Sequence, residues 1–298
     1  MKCTLCPRDC NVDRSINKGV CKTSDLTVSR ISKHMWEEPC ISGDKGSGAI
    51  FFAGCNLHCR FCQNYDISVV PHGVEITANQ LADIMLYLQD TGAANVNLVT
   101  PTHFSDKIAV ALQQVKAKLR IPVVYNTSSY EKTDALKRLE GLIDVYLPDI
   151  KFCDKTVSRR YAGAEDYFEV ASQAIAEMRR QQNRDVFDAN GYMTRGVIVR
   201  HLVLPANVED SKRILDWIAQ FDRTLYVSLM SQYFVARIDK ACPELNRKLY
   251  RHEYSSVVDY FYNVGLVNGY VQESESATRD YLPDFDDGEV ERILERIS

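Results

Sequence analysis

The stretch Ala49-Ile50-Phe51-Phe52-Ala53-Gly54-Cys55-Asn56-Leu57-His58-Cys59-Arg60-Phe61-Cys62 joins an apolar run to three closely spaced cysteines. The apolar run at residues 49–53 predicts a buried β-strand, so the cysteines would lie on the loop at its carboxyl end. Open α/β sheets and barrels place their ligand sites at these strand ends. The stretch therefore predicts where a functional site would lie.

Three thiols on one short loop suit a metal cluster that keeps one position open. Each iron of a 4Fe–4S cluster takes one thiolate, so Cys55, Cys59 and Cys62 would leave one iron free. An open metal position is where an enzyme binds a molecule that reacts. Phe61 would give the loop a flat face for a purine. The alternatives are a zinc knuckle and buried free thiols.

The spacing Cys55-x3-Cys59-x-Phe61-Cys62 resembles the signature of the radical S-adenosylmethionine (SAM) superfamily. The longer string from Gly54 to Tyr65 resembles the branch related to pyruvate formate-lyase activating enzymes. The resemblance implies that the amino and carboxylate groups of SAM chelate the open iron. It also implies that an electron from the cluster splits SAM into methionine and a 5′-deoxyadenosyl radical, which abstracts a hydrogen atom.

Beyond the cysteine loop, strand and helix patterns alternate. Strands are predicted at 49–54, 95–100, 121–126, 143–149, 196–204 and 224–230, and helices at 78–91, 105–118, 131–140, 165–182, 208–221 and 244–264. This alternation predicts a parallel sheet with right-handed crossovers. Six units predict an α/β fold with an open, partial TIM-type barrel, as the resemblance also implies. A complete barrel would need about 250 residues and fits less well.

We expect three parts in the chain: a cysteine-rich segment at 1–48, the barrel at 49–272 and an acidic tail at 273–298. Within the tail, residues 281–285 would either cover the barrel mouth or pack on the outside.

The first segment is polar and carries a second cysteine set, Cys3, Cys6, Cys10 and Cys21, at metal-site spacing. Four thiolates would close a tetrahedral zinc site or hold an iron–sulfur cluster with no open iron. Such a centre would be structural or would transfer electrons, since no position is left for a substrate. A short polar segment gains order from a metal, although scattered free thiols are the alternative. The spacing does not decide between zinc and iron.

Polar residues at the predicted strand ends are the candidate SAM contacts. In the resembled family, backbone carbonyls after the second strand bind the SAM amino group. Thr100 and Thr102 take that place here, although the usual glycine-rich stretch is missing. Asn126 and Ser128 suit a ribose or a carboxylate. His103 is either a proton-transfer group or, more often for a lone histidine, structural.

Charged residues follow the next two strands. Asp149 and Lys151 resemble an Asp-x-Lys pair of the activating-enzyme branch and would bind an ammonium and a carboxylate, or else form an ion pair at the rim. Arg200 lies among apolar residues, and a buried unpaired charge is prohibitive, so it should face a polar lumen. The resemblance implies that this arginine contacts SAM.

Composition limits the other functions. The chain has 298 residues, a net charge of −4 and ten cysteines. The mild charge argues against a nucleic-acid or membrane-surface binder. No apolar run reaches membrane-spanning length, and the first residues lack the apolar core of a signal peptide. We therefore expect a cytoplasmic protein whose cysteines are metal ligands or free thiols rather than disulfides.

Three functions stay open. The chain would take a hydrogen atom from a glycine of a partner enzyme, modify a small molecule or nucleotide, or act as a non-catalytic iron–sulfur or zinc protein. For the first two, the resemblance also implies an electron donor such as flavodoxin or ferredoxin.

Overall fold

The computed structural model describes residues 2–272, 285 and 288–297. Residues 281–284, for which we expected a position over the barrel mouth or on the outside, lie outside the described part of the chain.

The elements alternate as the sequence predicts, with several additions. The strands are β1 Thr27–His34, β2 Ser47–Phe52, β3 Val74–Glu75, β4 Val96–Val99, β5 Val123–Thr127, β6 Val145–Pro148, β7 Val186–Phe187, β8 Met193–Leu202, β9 Tyr226–Met230 and β10 Gly269–Val271. The helices are α1 Pro39–Ser42, α2 Tyr65–Ser68, α3 Ala78–Asp90, α4 Ser105–Val115, α5 Thr133–Lys137, α6 Lys155–Ala162, α7 Tyr167–Gln181, α8 Val208–Phe221, α9 Arg251–Asn263 and α10 Glu289–Ile297. Short 3-10 turns occur at Thr102–Phe104 and Pro243–Asn246.

The strands form one open, mostly parallel sheet. Its order is β10-β9-β8-β6-β5-β4-β2-β1-β3, and β7 pairs with β8 outside this path. All six predicted strands take part, and they pair in parallel in chain order from β2 to β9. The predicted open α/β fold is confirmed.

Strand β1 was not predicted, and it changes the expected division of the chain. It pairs antiparallel with β2, with Ile31 opposite Ile50, so residues 27–34 belong to the barrel sheet rather than to a separate segment. The pairing is irregular between Val28 and Arg30. This irregularity breaks the alternation of apolar and polar residues by which a strand is recognised in a sequence.

The predicted helix at 244–264 is interrupted. Its first residues form the 3-10 turn, and α9 begins only at Arg251. The carboxylate of Glu253 accepts hydrogen bonds from the Tyr250 N–H at 2.9 Å and from the Arg247 guanidinium at 2.7 Å. These bonds satisfy a backbone N–H at the amino end of α9 and hold Arg247 outside the helix.

The connection from β1 to β2 enters the barrel lumen. Because β1 runs antiparallel to β2, with His34 opposite Ser47, the connection starts at the amino ends of the parallel strands. Cys40 and Ile41 of α1 are buried against Val124, Val145, Leu147 and Ile198, among others. Helix α1 thus fills the floor of the barrel.

Helix α10 packs on the outside of the sheet, against β1 and α3, and buries Val290 and Ile293. In the described part of the chain, no helix combines the length and the apolar character needed to cross a lipid bilayer.

Candidate active site

A pocket lies at the carboxyl ends of the parallel strands, beside the cysteine loop. Its lining includes Cys55, Phe61 and the other residues predicted to hold the cluster or contact SAM, except Thr102: Cys59, Cys62, Thr100, Asn126, Ser128, Asp149, Lys151 and Arg200. These residues come from β2, β4, β5, β6, β8 or the loops that follow them. Parallel pairing places the carboxyl ends of these strands together, which is why residues far apart in sequence share one pocket.

The three thiols of the loop all face this pocket. The N–H of Leu57 donates to the Cys55 sulfur at 3.3 Å, and the Ser68 hydroxyl donates to the Cys62 sulfur at 3.2 Å. Both donors favour the thiolate form, which is the form that binds a metal. Three thiols on one pocket wall fit a 4Fe–4S cluster that keeps one iron open.

Burial raises the pKa of the Cys55, Cys59 and Cys62 thiols. The Lys151 ammonium opposes this effect at all three. A coordinated metal ion deprotonates such thiols outright, so these thiols would bind iron as thiolates.

Aromatic contacts hold Phe61 at the pocket. Its ring meets Phe152 edge-on, with centroids 5.9 Å apart, and Tyr161 at 6.4 Å. Both partners pack in the same buried cluster behind the loop. The ring is therefore fixed by its neighbours, while its role as a purine face stays a prediction.

A buried network of charges forms another part of the pocket wall. The Arg200 guanidinium donates to Asp149 at 2.8 Å and to Glu37 at 2.8 Å, and Lys151 donates to Asp149 at 2.6 Å. Arg200 also donates to the side-chain oxygen of Asn126 at 2.5 Å. The side chains of Arg200 and Glu37 are only 11% and 10% exposed, so the charges compensate one another away from bulk water.

The network fixes the ionisation of its members. Burial alone would raise the pKa of Asp149, but Arg200 and Lys151 hold it below its usual value. Burial alone would lower the pKa of Lys151, but Asp149 and Cys59 hold it above its usual value. Asp149 is thus an anion and Lys151 a cation at neutral pH.

Glu37 was not predicted as a site residue. It lines the pocket, and its second oxygen accepts hydrogen bonds from Asn97 at 2.7 Å and from Asn126 at 2.9 Å. One carboxylate from the β1–α1 connection therefore joins β4, β5 and β8 inside the lumen. The neighbouring Glu38 is 6% exposed, and burial raises its pKa to about 7. The sequence signal available for this residue was the Glu37-Glu38-Pro39 run, but it lies in the 1–48 segment that we predicted to be separate from the barrel.

Thr100 and Thr102 differ in their surroundings. Thr100 lines the pocket with a backbone φ of +60°, a strained value for a threonine, and such strain is common at ligand sites. The carbonyl of Thr102 accepts the N–H of Ser105, and its hydroxyl donates to buried Glu131 at 2.7 Å. The role of Thr102 as a SAM contact stays a prediction, and the structure shows these polar groups bonded within the protein.

His103 has a structural position. Its Nε2 bonds to the Ala53 carbonyl at 2.8 Å, directly before the cysteine loop. Burial lowers its pKa to about 3, so the ring is neutral. Buried and bonded in this way, it is held as a support of the loop rather than as a proton carrier.

The second cysteine set lies directly behind the loop. All four of its thiols are free, with Cys6 and Cys21 buried and Cys3 and Cys10 partly exposed. The carbonyl of Cys21 accepts the N–H of Cys55 at 3.3 Å.

Comparisons with known proteins agree with this architecture. The sequence model of the family described as the radical SAM superfamily matches residues 49–218. An uncharacterized protein of Methanocaldococcus jannaschii is 29% identical over 277 residues, which cover 89% of this chain and 76% of that protein.

Two solved structures share the fold. SuiB of Streptococcus suis bound to S-adenosylmethionine aligns with a TM-score of 0.50 at 15% identity, over 74% of this chain and 48% of SuiB. This chain thus spans about half the length of SuiB. Methylornithine synthase (PylB) aligns with a TM-score of 0.50 at 15% identity, over 82% of this chain and 78% of that enzyme.

Proposed function

Since the chain belongs to the radical SAM superfamily, we propose that Cys55, Cys59 and Cys62 bind the 4Fe–4S cluster that this membership implies. When bound, the cluster supplies the electron that splits SAM into methionine and a 5′-deoxyadenosyl radical. The observation that carries the proposal is the convergence of these three thiols with the Asp149–Lys151–Arg200 network on one pocket.

The charged wall would orient SAM. Lys151 uses one of its three donors on Asp149, so it has donors left for the SAM carboxylate. Each Asp149 oxygen accepts one hydrogen bond, from Arg200 or from Lys151, and keeps a lone pair for the SAM ammonium. Phe61, Thr100, Asn126 and Ser128 line the same pocket and would contact the adenine, the amino group and the ribose. Enclosure by the barrel would keep water away from the radical.

Activation of a glycyl radical enzyme is the substrate assignment that we propose. The string from Gly54 to Tyr65, the Asp149-x-Lys151 pair and the strand carrying Arg200 all resemble the activating-enzyme branch. The pocket lining also includes two aromatic side chains, exposed Trp36 and buried Phe234, which would give a peptide loop apolar contacts. The partners would be the activated enzyme and a cytoplasmic electron donor such as flavodoxin or ferredoxin.

A small polar molecule or nucleotide is the second candidate substrate. The buried carboxylate of Glu37 on the pocket wall favours it, because a polar wall deep in a pocket fixes the orientation of a small ligand.

The test is SAM cleavage by anaerobically reconstituted protein reduced with dithionite, followed by chromatography of 5′-deoxyadenosine. We expect cleavage by the wild type and none by Cys59→Ala; cleavage by that variant contradicts the assignment. Adding a glycyl radical enzyme encoded beside this gene should produce a glycyl radical in electron paramagnetic resonance. Cleavage without that signal would favour the second candidate.

We also propose that Cys3, Cys6, Cys10 and Cys21 bind a second metal centre, zinc or iron–sulfur. Its support is a set of four free thiols, of which Cys21 and Cys10 would lie 3.2 and 3.5 Å from a Cβ on Gly19, in a segment where, among residues 2–20, Cys6 alone is buried. A metal would supply the order that this segment lacks in apolar core.

A further inference from the structure

One buried hydroxyl meets the backbone of three proposed SAM contacts. Tyr167 is the first residue of α7, and its side chain is fully buried. Its hydroxyl oxygen accepts the N–H of Lys151 at 3.0 Å. The same hydroxyl donates its proton to the carbonyl of Ser128, at 2.8 Å, or to that of Asp149, at 3.0 Å. A single side chain thus joins the loops that follow β5 and β6.

The Tyr167 hydroxyl keeps its proton in these surroundings. Burial first, and the nearby Asp149 carboxylate second, raise the pKa of Tyr167 well above its ordinary value. A neutral phenol has both a donor and acceptor lone pairs, so it suits a backbone N–H and a carbonyl at once. Because a buried backbone group without a partner is costly, these bonds restrain both loops.

The ring of Tyr167 restrains the same loops by aromatic contacts. It meets Phe152 edge-on, with centroids 5.3 Å apart, and stacks on Tyr130 at 6.1 Å. Phe152 directly follows Lys151 in the chain, and its ring contacts Phe61 at the pocket. Edge-on and stacked rings attract one another beyond their burial. Tyr167 therefore connects the position of Lys151 with that of the proposed adenine contact.

The loop of Ser128 contains a strained residue that needs such a restraint. The next residue, Ser129, has a backbone φ of +63°, in the left-handed region that a serine seldom adopts. A strained residue persists only where its surroundings fix it. The bond from Tyr167 to the Ser128 carbonyl acts on the peptide unit that links these two serines.

From these contacts we infer that Tyr167 is a positioning residue for SAM, which sets the places of Ser128, Asp149 and Lys151 relative to one another. The inference rests on the proposed function, in which these three residues contact SAM. Asp149 would bind the ammonium and Lys151 the carboxylate of one amino-acid group, so their relative placement decides how well that group fits. In the described part of the chain, Tyr167 is not among the residues that line the pocket, so it acts through the backbone of these three.

Tyr167→Phe removes the hydroxyl and keeps the ring, and Tyr146→Phe is the matched control. Tyr146 is also fully buried, and its hydroxyl donates to the side-chain oxygen of Gln181 in α7 at 2.6 Å. Each substitution therefore removes a buried hydrogen bond between α7 and β6 or the loop after it. Only the bonds of Tyr167 reach proposed SAM contacts.

The variants are compared with the wild type after anaerobic reconstitution with iron and sulfide. We expect equal iron in all three proteins. In Tyr167→Phe, the dissociation constant and the KM for SAM should rise about tenfold, the size of a lost buried hydrogen bond. The kcat for 5′-deoxyadenosine formation should change less than about twofold, since the hydroxyl touches no reacting atom.

Hydrogen exchange gives a readout that needs no SAM. Followed by mass spectrometry, peptides that contain residues 149–152 should exchange several-fold faster in Tyr167→Phe than in the wild type. Tyr146→Phe should leave this exchange and both SAM constants at the wild-type values.

The inference and the proposed function fail separately. Wild-type SAM constants in Tyr167→Phe, or an equal rise in Tyr146→Phe, overturn the inference while cleavage by the wild type leaves the proposed function standing. A wild type that neither binds nor cleaves SAM overturns the proposed function. In that case, faster exchange at residues 149–152 in Tyr167→Phe still supports the hold of Tyr167 on this loop, and unchanged exchange overturns it.

Discussion

Replacement of Glu37 by glutamine should destabilise the barrel and weaken SAM binding together. The Glu37 carboxylate accepts three hydrogen bonds, from Arg200, Asn97 and Asn126. A glutamine of the same shape must point its amide N–H₂ either at Arg200 or at both asparagines, which leaves one or two donors unpaired. Hydrogen bonds to a charged group contribute about 1.5–3 kcal/mol each, and removing one partner of a buried ion pair costs about 3–5 kcal/mol. Because Arg200 keeps Asp149, we expect a loss of about 3 kcal/mol in the free energy of unfolding.

The chain offers a matched control for this substitution. Glu140 also pairs with an arginine, Arg180, at 2.8 Å, but both side chains are about half exposed. In both variants the arginine keeps one carboxylate partner: Arg200 keeps Asp149, and Arg180 keeps Glu177. Glu140→Gln should therefore cost less than about 1 kcal/mol, since exposed ion pairs contribute little.

Urea unfolding of the metal-free proteins, followed by circular dichroism, gives the two free energies. Calorimetry on anaerobically reconstituted protein gives the SAM dissociation constant. We expect a loosened Arg200 in Glu37→Gln to raise this constant about tenfold, or about 1.4 kcal/mol, and Glu140→Gln to leave it unchanged. Equal losses of stability in the two variants would refute the reasoning, because burial would then make no difference to the pair.

Three further predictions concern single residues. Burial raises the pKa of Glu38 from 4.5 to about 7, although Arg200 opposes this effect. Between these pH values the folded state keeps a proton that the unfolded state releases, so the free energy of unfolding should fall by about 3 kcal/mol as pH rises from 4.5 to 7. Urea titrations of Glu38→Gln should lack this dependence on pH. Gly54 has a φ of +79°, and Gly54→Ala would place a Cβ 2.2 Å from the Cys21 carbonyl oxygen. We expect the variant to bind less iron per chain while its circular dichroism stays unchanged. A full iron content would contradict this. Thr100→Gly should relieve the strain of φ +60° and leave the thermal midpoint equal to or above that of the wild type, whereas a clear drop would show that threonine contacts outweigh the strain.

The fold was predictable where a strand is a continuous apolar run between turn signals. Residues 49–53 and 196–199 have this pattern because parallel strands are buried on both faces. Strand β1 was missed because its irregular pairing breaks the alternation of apolar and polar residues. Helix α6 was missed because its apolar residues are few, and it starts at an Asp154 side chain that accepts the N–H of Thr156.

The site was predictable where a residue type conflicted with its surroundings. Arg200 in an apolar strand required a polar lumen, and the structure places it in the pocket. Glu37 could not be found in this way, because a glutamate in a polar loop conflicts with nothing; only the path of α1 into the lumen buries it. For Thr102, no residue pattern indicates that a 3-10 turn uses its carbonyl.

In the described part of the chain, the open sheet ends in two very short strands, which bears on self-association. The outermost strands, β3 and β10, have two and three residues. Gly269 in β10 has a φ of +129°, and a side chain there would meet the Val227 carbonyl oxygen at 1.9 Å. Unpaired N–H and C=O groups on a long flat strand invite pairing with another molecule, and very short terminal strands offer few of them. The short terminal strands therefore disfavour edge-to-edge aggregation of the open barrel. A longer β10 would expose more unpaired backbone groups and favour such aggregation.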